Sequence, residues 1–175
     1  VTGNPSFDKH YDYIQKMNEV TNETKKIRVG FASNNTGDEN PIKIFRLLSS
    51  LCEKQGLELI LRRHPNEIHW TIDSPYLDMS KASVEHFLSE IDFLVSYPST
   101  ILLEAQIYGI SCKVIGFSSL NNLLPIFVCD DNQVLYDINE INKLTFDFST
   151  RKTNSMHMSP ATPKIMELIK NLLPI

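Results

Sequence analysis

Between Asp92 and Gly109 the chain runs Phe93-Leu94-Val95-Ser96, then Tyr97-Pro98-Ser99-Thr100, then Ile101-Leu102-Leu103-Glu104-Ala105-Gln106-Ile107-Tyr108. A short β-rich run, a polar turn with proline, and a helical stretch stopped by glycine form the repeating unit of a parallel α/β sheet. No other stretch constrains the fold as strongly. Strand ends of an open α/β sheet face the crevice where ligands bind. A helix start, here Ser99-Thr100, offers unpaired N–H groups and a positive dipole end to an anion. The segment therefore reads as a phosphate site, and Glu104, one turn into the helix, could reach a ribose hydroxyl or serve as a first-turn acid favoured by the helix dipole.

The same alternation extends over much of the chain. Ser6 to Glu19 reads as a short helix through Tyr11, Ile14 and Met17, followed by a first strand at Ile27 to Ala32. A polar loop, Ser33 to Glu39, leads to Asn40-Pro41, an N-cap residue with proline at the first helical position. Ile44, Leu47, Leu48 and Leu51 keep one helix face apolar until Gly56, which marks the helix end. Leu57 to Arg62 reads as the second strand and breaks at His64-Pro65, because a residue before proline is pushed out of helical geometry. The region between Trp70 and Ser80 is irregular, with room for one short strand. A helix at Ser83 to Ile91, a strand at Phe93 to Ser96, a helix at Ser99 to Tyr108 and a strand at Cys112 to Gly116 follow. Pro163 to Leu172 sets Ile165, Leu168, Ile169 and Leu172 on one face of a closing helix. Connections too long for hairpins imply right-handed βαβ crossovers. The expected fold is α/β, a Rossmann-like parallel sheet with helices on both faces.

Candidate ligand-binding residues fall at the expected strand ends. His64 follows the second strand beside Arg62 and Arg63, where it could bind or protonate a phosphate, while strand alternation can turn Arg63 away. Glu67 reads as a contact to a sugar or as a solvated loop carboxylate. Ser99 and Thr100 could cap their helix and bind phosphate through the same amides. Trp70 and Tyr97 could stack on a base or fill core edges. The loop after the first strand lacks the repeated glycines of a dinucleotide fingerprint, so no nicotinamide or flavin cofactor is expected. Asp130-Asp131-Asn132 and Met156-His157-Met158 read as solvated loops, and no metal site is expected.

Arg62-Arg63-His64-Pro65-Asn66-Glu67 and Pro98-Ser99-Thr100 through Glu104, with Val1-Thr2-Gly3-Asn4-Pro5-Ser6-Phe7-Asp8 at the start, resemble the C-terminal, donor-binding half of a GT-B type glycosyltransferase. The resemblance spans Thr2 to Gly116. It implies one half of a GT-B fold, with residues 1–26 as interdomain linker and leading helix and 27–175 as a nucleotide-sugar-binding domain. It implies donor contacts from Ser33, Asn35, Thr36, Arg63, His64, Pro65, Glu67, Pro98, Ser99, Thr100 and Glu104, with His64 stabilising the leaving phosphate. The nucleotide-sugar would be a substrate, with no cofactor, and the acceptor would sit on an N-terminal domain that this chain does not contain. Thr2-Gly3-Asn4-Pro5 also resembles the interdomain linker of the non-hydrolysing UDP-N-acetylglucosamine 2-epimerases. Those enzymes carry Ser-Gly-Gly where this chain has Pro98-Ser99-Thr100. A non-catalytic flavodoxin-like interaction module is a third reading, although the acidic pair of a receiver domain is replaced at the first strand end by Gly30 to Ser33.

With 175 residues, 42% of them hydrophobic, the chain can fill one core and is too short for two Rossmann-like domains. A start at a linker-like segment without Met leads to the expectation of half an enzyme. The net charge of -4 argues against nucleic acid as a partner. Cys52, Cys112 and Cys129 lack metal-ligand spacing and suit a reducing compartment. No run of about 18 apolar residues is present, and the first residues carry no apolar core of the signal-peptide kind. The expected location is the cytoplasm, any peripheral membrane contact being made by the absent half. A role in building a surface polysaccharide or glycolipid is what the resemblance implies.

Overall fold

Alternate residues of the apolar runs face opposite sides of one sheet, and that alternation builds two cores. In the computed structural model, which describes residues 5–17, 26–34, 40–67, 76–124, 133–146 and 148, the central strand β1 spans Arg28–Ala32. Its Val29 and Phe31 join Leu59, Leu61, Phe93, Val95 and Ile115 in the first core. Its Ala32 joins Ile60, Leu94 and Val114 in the second.

Helix α1 (Asp8–Met17) precedes β1, and α2 (Asn40–Gln55) follows it. Ile44, Phe45 and Leu48 of α2 cover the first core together with Ile141 of a 3-10 helix at Ile138–Lys143. On the other face lie α3 (Val84–Glu90) and α4 (Ile101–Ile107), which bring Phe87, Leu88, Leu102 and Ala105 to the second core. The remaining strands are β2 (Glu58–Arg62), β3 (Leu77–Asp78), β4 (Phe93–Ser96), β5 (Ser111–Ile115) and β6 (Val134–Leu135). Their order is β3-β2-β1-β4-β5-β6, and every described pairing is parallel. The fold is α/β with a Rossmann-like parallel sheet and helices on both faces, as the alternation of elements implies.

Gly56, at φ 69°, ends α2 in the left-handed region that favours glycine. Gly30 has a different reason to be glycine. A Cβ there would lie 2.6 Å from Ile91 Cδ1 and 2.8 Å from Phe87 Cζ, so β1 and the α3 layer meet closely because no side chain stands between them.

Several boundaries differ from the sequence expectation. Helix α4 begins at Ile101, and Thr100 already has helical angles (φ -59°, ψ -24°) with no side-chain cap, so the capping role expected of Thr100 is not the one it plays. Ser83, in contrast, caps α3 by accepting from the His86 N–H. The two-residue β6 was not anticipated, since β5 supplies its pairing and its length carries no pattern. Tyr97 is 1% exposed and packs at 6.4 Å from Phe31 in the first core, which removes it from the cleft. Asn35, Thr36, Trp70, Cys129, Asp130-Asp131-Asn132, Met156-His157-Met158 and the closing helix at 163–172 lie outside the described residues.

Candidate functional site

The strand order reverses between β1 and β4, because the chain builds outward on one side through β2 and β3 and then returns to the other side of β1. Crossovers leave in opposite directions at such a point and open a crevice at the carboxyl ends of the strands. Here a crevice of about 270 Å³ opens among Ala32, Ser33 and Asn34 after β1, Arg62, Arg63, His64 and Pro65 at the end of β2, Ser80 and Val84, and Ser99, Thr100, Ile101 and Glu104 at the start of α4. An adjoining hollow of about 480 Å³ shares Arg63, His64, Pro65 and Ser80 and adds Glu67, Asp78 and Lys81.

The β2 turn is held from within. Glu67 is 9% exposed, and its Oε2 accepts from the Ser33 hydroxyl and, at 3.2 Å, from the His64 backbone N–H. The Ser33 N–H donates to the Arg62 carbonyl at 3.0 Å, and the Glu67 N–H to the His64 carbonyl at 2.9 Å. Glu67 is thus neither a solvated loop carboxylate nor a crevice-lining group. It ties the end of β1 to the His64 turn and faces the adjoining hollow. The Asn66 N–H donates to His64 Nδ1 at 3.2 Å, which places the neutral ring's proton on Nε2.

Two arginines divide the work. Arg62 Nη1 donates to the carbonyls of Ala82 at 2.6 Å and Met79 at 3.3 Å, with the guanidinium 5.7 Å from the Phe87 ring centroid. Desolvation draws its pKa down, the charges of Glu104 and Glu85 draw it up, and it remains cationic. Arg63 forms an ion pair with Asp78, and its backbone N–H donates to Ser80 Oγ at 2.9 Å. Desolvation raises the Asp78 carboxyl, but hydrogen bonds from Ser80 and the Arg63 charge hold it below the usual range. Despite strand alternation, Arg63 still lines the crevice.

Glu104 enters from the opposite wall. Burial raises its carboxyl above the usual range, against the pull of Lys9 and Arg62, with Glu85 adding to the rise. Behind it, Glu104 Oε2 lies 3.8 Å from Nε2 of His10 on α1.

Of the expected residues, Ser33, Arg63, His64, Pro65, Ser99, Thr100 and Glu104 come together around the crevice. Glu67 stands one layer behind, and Pro98 is buried behind Ser99 without lining it. Arg62, Asn34 and Ser80 also line it, although the expected set omits them. Arg62 was legible, since it lies two residues beyond Ile60 and so shares the α4 side of the sheet. Asn34 and Ser80 had no such signal. The thiols of Cys52 and Cys112 lie elsewhere, and burial pushes both up to about 12, so neither is a nucleophile near neutral pH. No group of three or more potential metal ligands occurs among the described residues. No described helix is long and apolar enough to cross a membrane.

No protein-family model matches this chain, and comparison with curated proteins finds no match.

Proposed function

We propose that this chain is the nucleotide-sugar-binding domain of a glycosyltransferase that works without a bound metal ion and builds a surface polysaccharide or glycolipid. The observation that carries the reading is the convergence of Arg62, His64, the start of α4 and Glu104 on one crevice at the reversal of strand order. Each suits a different part of a nucleotide diphosphate. The Arg62 guanidinium, anchored on two carbonyls, is a fixed cation. The His64 Nε2–H and the hydroxyls of Ser99 and Thr100, which line the crevice, are donors for phosphate oxygens. Glu104 is an acceptor for ribose hydroxyls.

These donors would act where negative charge develops as the sugar leaves, the role a divalent ion plays in other transferases. The general base and the acceptor site belong to a second domain. The crevice is near the lower bound of ~300 Å³ for ligand sites, so the sugar extends into the adjoining hollow or toward that second domain.

The test is a calorimetric titration of the chain, with and without EDTA, against CMP, CDP, UDP and GDP and their sugar conjugates. Selective, chelator-insensitive binding to one nucleotide supports the reading and names the base. Binding that EDTA abolishes overturns the metal-independent part. Absence of binding to every nucleotide overturns the assignment of the crevice in this chain.

A further inference from the structure

His10 sits on α1, far from the strand ends in sequence, yet its side chain is 0% exposed and its Nε2 faces the crevice residue Glu104. Among the described residues, His10 Nε2 and Glu104 Oε2 are both buried without a hydrogen-bond partner. Their separation of 3.8 Å exceeds a hydrogen bond but lies within ion-pair reach. The second ring nitrogen has a partner of its own. His10 Nδ1 lies 3.3 Å from the Tyr108 hydroxyl, and the two rings meet edge to face with centroids 5.7 Å apart. An ionised Glu104 oxygen can only accept, so the imidazole proton stands on Nε2, toward Glu104, and Nδ1 accepts from the Tyr108 O–H. Lys9, the neighbour of His10, pairs with Glu85 of α3 at 2.7 Å and presses α1 onto the same surface.

We infer that His10 is a positioning residue for Glu104, and that α1 is thereby part of the ligand site rather than a tether in front of it. The inference rests on the reading of the crevice as a nucleotide site. Tyr108 orients the ring, the ring's Nε2–H takes one carboxylate oxygen as the site closes on its ligand, and the carboxylate meets the ribose hydroxyls in a single orientation. Hydrogen bonds of this kind are often long in the unliganded state and shorten when ligand binds.

The experiment compares UDP, CDP and GDP with their 2′-deoxy counterparts on wild type, His10→Phe, His10→Gln and Glu104→Gln, with the His10 Nε2 resonance followed by NMR. Phenylalanine fills the ring's space without nitrogens, whereas the glutamine amide restores a donor at the Nε2 position. His10→Phe is expected to lower the preference for ribose over deoxyribose about tenfold, the worth of one hydrogen bond to a charged group. His10→Gln is expected to recover it, and Glu104→Gln to abolish it. A ribose preference in folded His10→Phe equal to that of wild type overturns the inference. If the wild type binds no nucleotide, the crevice reading falls instead, and the NMR signal decides the pairing alone. A His10 Nε2 resonance displaced by Glu104→Gln supports it, and one left unmoved overturns it. The same comparison holds if His10→Phe does not fold, because it needs no substitution at His10.

Discussion

Glu67 collects the Ser33 hydroxyl and the His64 N–H on one buried oxygen, so the position of the His64 ring depends on a carboxylate that lines only the neighbouring hollow. Removing the acceptor leaves the Ser33 hydroxyl only the Arg62 carbonyl at 3.5 Å and the His64 N–H only the Ser33 Oγ at 3.3 Å, and loss of a hydrogen bond to a charged group costs about 1.5–3 kcal/mol. Glu67→Ala is therefore predicted to lower stability in urea by about 1–2 kcal/mol and to weaken nucleotide binding, with Glu67→Gln milder because its carbonyl oxygen still accepts. A Glu67→Ala loss below about 0.5 kcal/mol, the usual range of a surface substitution, would sink this account. From the sequence, Glu67 reads as a loop residue, since nothing local distinguishes a carboxylate facing water from one facing two donors 34 and 3 positions away. His64 and Glu104 were legible because strand and helix periods alone place them at the crevice.

At the scale of the element, Gly30 decides how closely the α3 layer approaches β1. Gly30→Ala would set a methyl group against Ile91 and Phe87, both buried, and overpacking of this kind costs about 1–3 kcal/mol. The prediction opposes strand propensity, which favours alanine over glycine, so a stability in urea at or above wild type would refute the packing argument. The docking of α1 carries a pH dependence. Desolvation depresses the His10 pKa, helped by Lys9 and opposed by Glu85, so its contribution to stability is present above the ordinary value of 6.5 and is lost as pH falls through the folded-state value. Glu85 is held at about 2 against desolvation by hydrogen bonds from Lys9 and Ser83 and by the Lys9 charge, so its contribution is lost as pH falls from 4.5 toward 2. Glu104 works in the opposite direction, its raised pKa favouring the fold at low pH. The protection factors of the α1 amides, taken relative to intrinsic exchange at each pH, are predicted to fall in two steps on acidification, the first removed by His10→Gln and the second by Glu85→Gln. A single step unaffected by either substitution would refute it. The periods of β1, β2, β4 and α2 were read within a residue or two, whereas β6 and the true start of α4 were not, because a two-residue strand and a helix without a side-chain cap leave no local mark.

Over the whole molecule, the strand order places every proposed ligand group at one end of the sheet. At the other end, Arg28 ties β1 to Glu58 and Glu90, and its N–H donates to Asp92 at 2.8 Å. A ligand that binds only the folded state stabilises it by about 2.7 kcal/mol at a hundred times its dissociation constant. The nucleotide that binds best is predicted to raise the melting temperature with or without EDTA. Arg62→Met is predicted to weaken that nucleotide about ten- to a hundredfold, and an unchanged affinity would exclude Arg62 from the site. Hydrophobic period, helix punctuation and the lengths of the connections determined from the sequence alone that the chain alternates strand and helix around a parallel sheet, because those signals are local and backbone geometry reads them locally. That Arg62 is tied to the carbonyls of Met79 and Ala82, that Glu67 serves Ser33 and His64, that Tyr97 fills a core, and that His10 meets Glu104 across 94 positions of chain were decided only by the tertiary structure. Those partners meet through sheet order and helix docking, and burial then sets what each pairing costs.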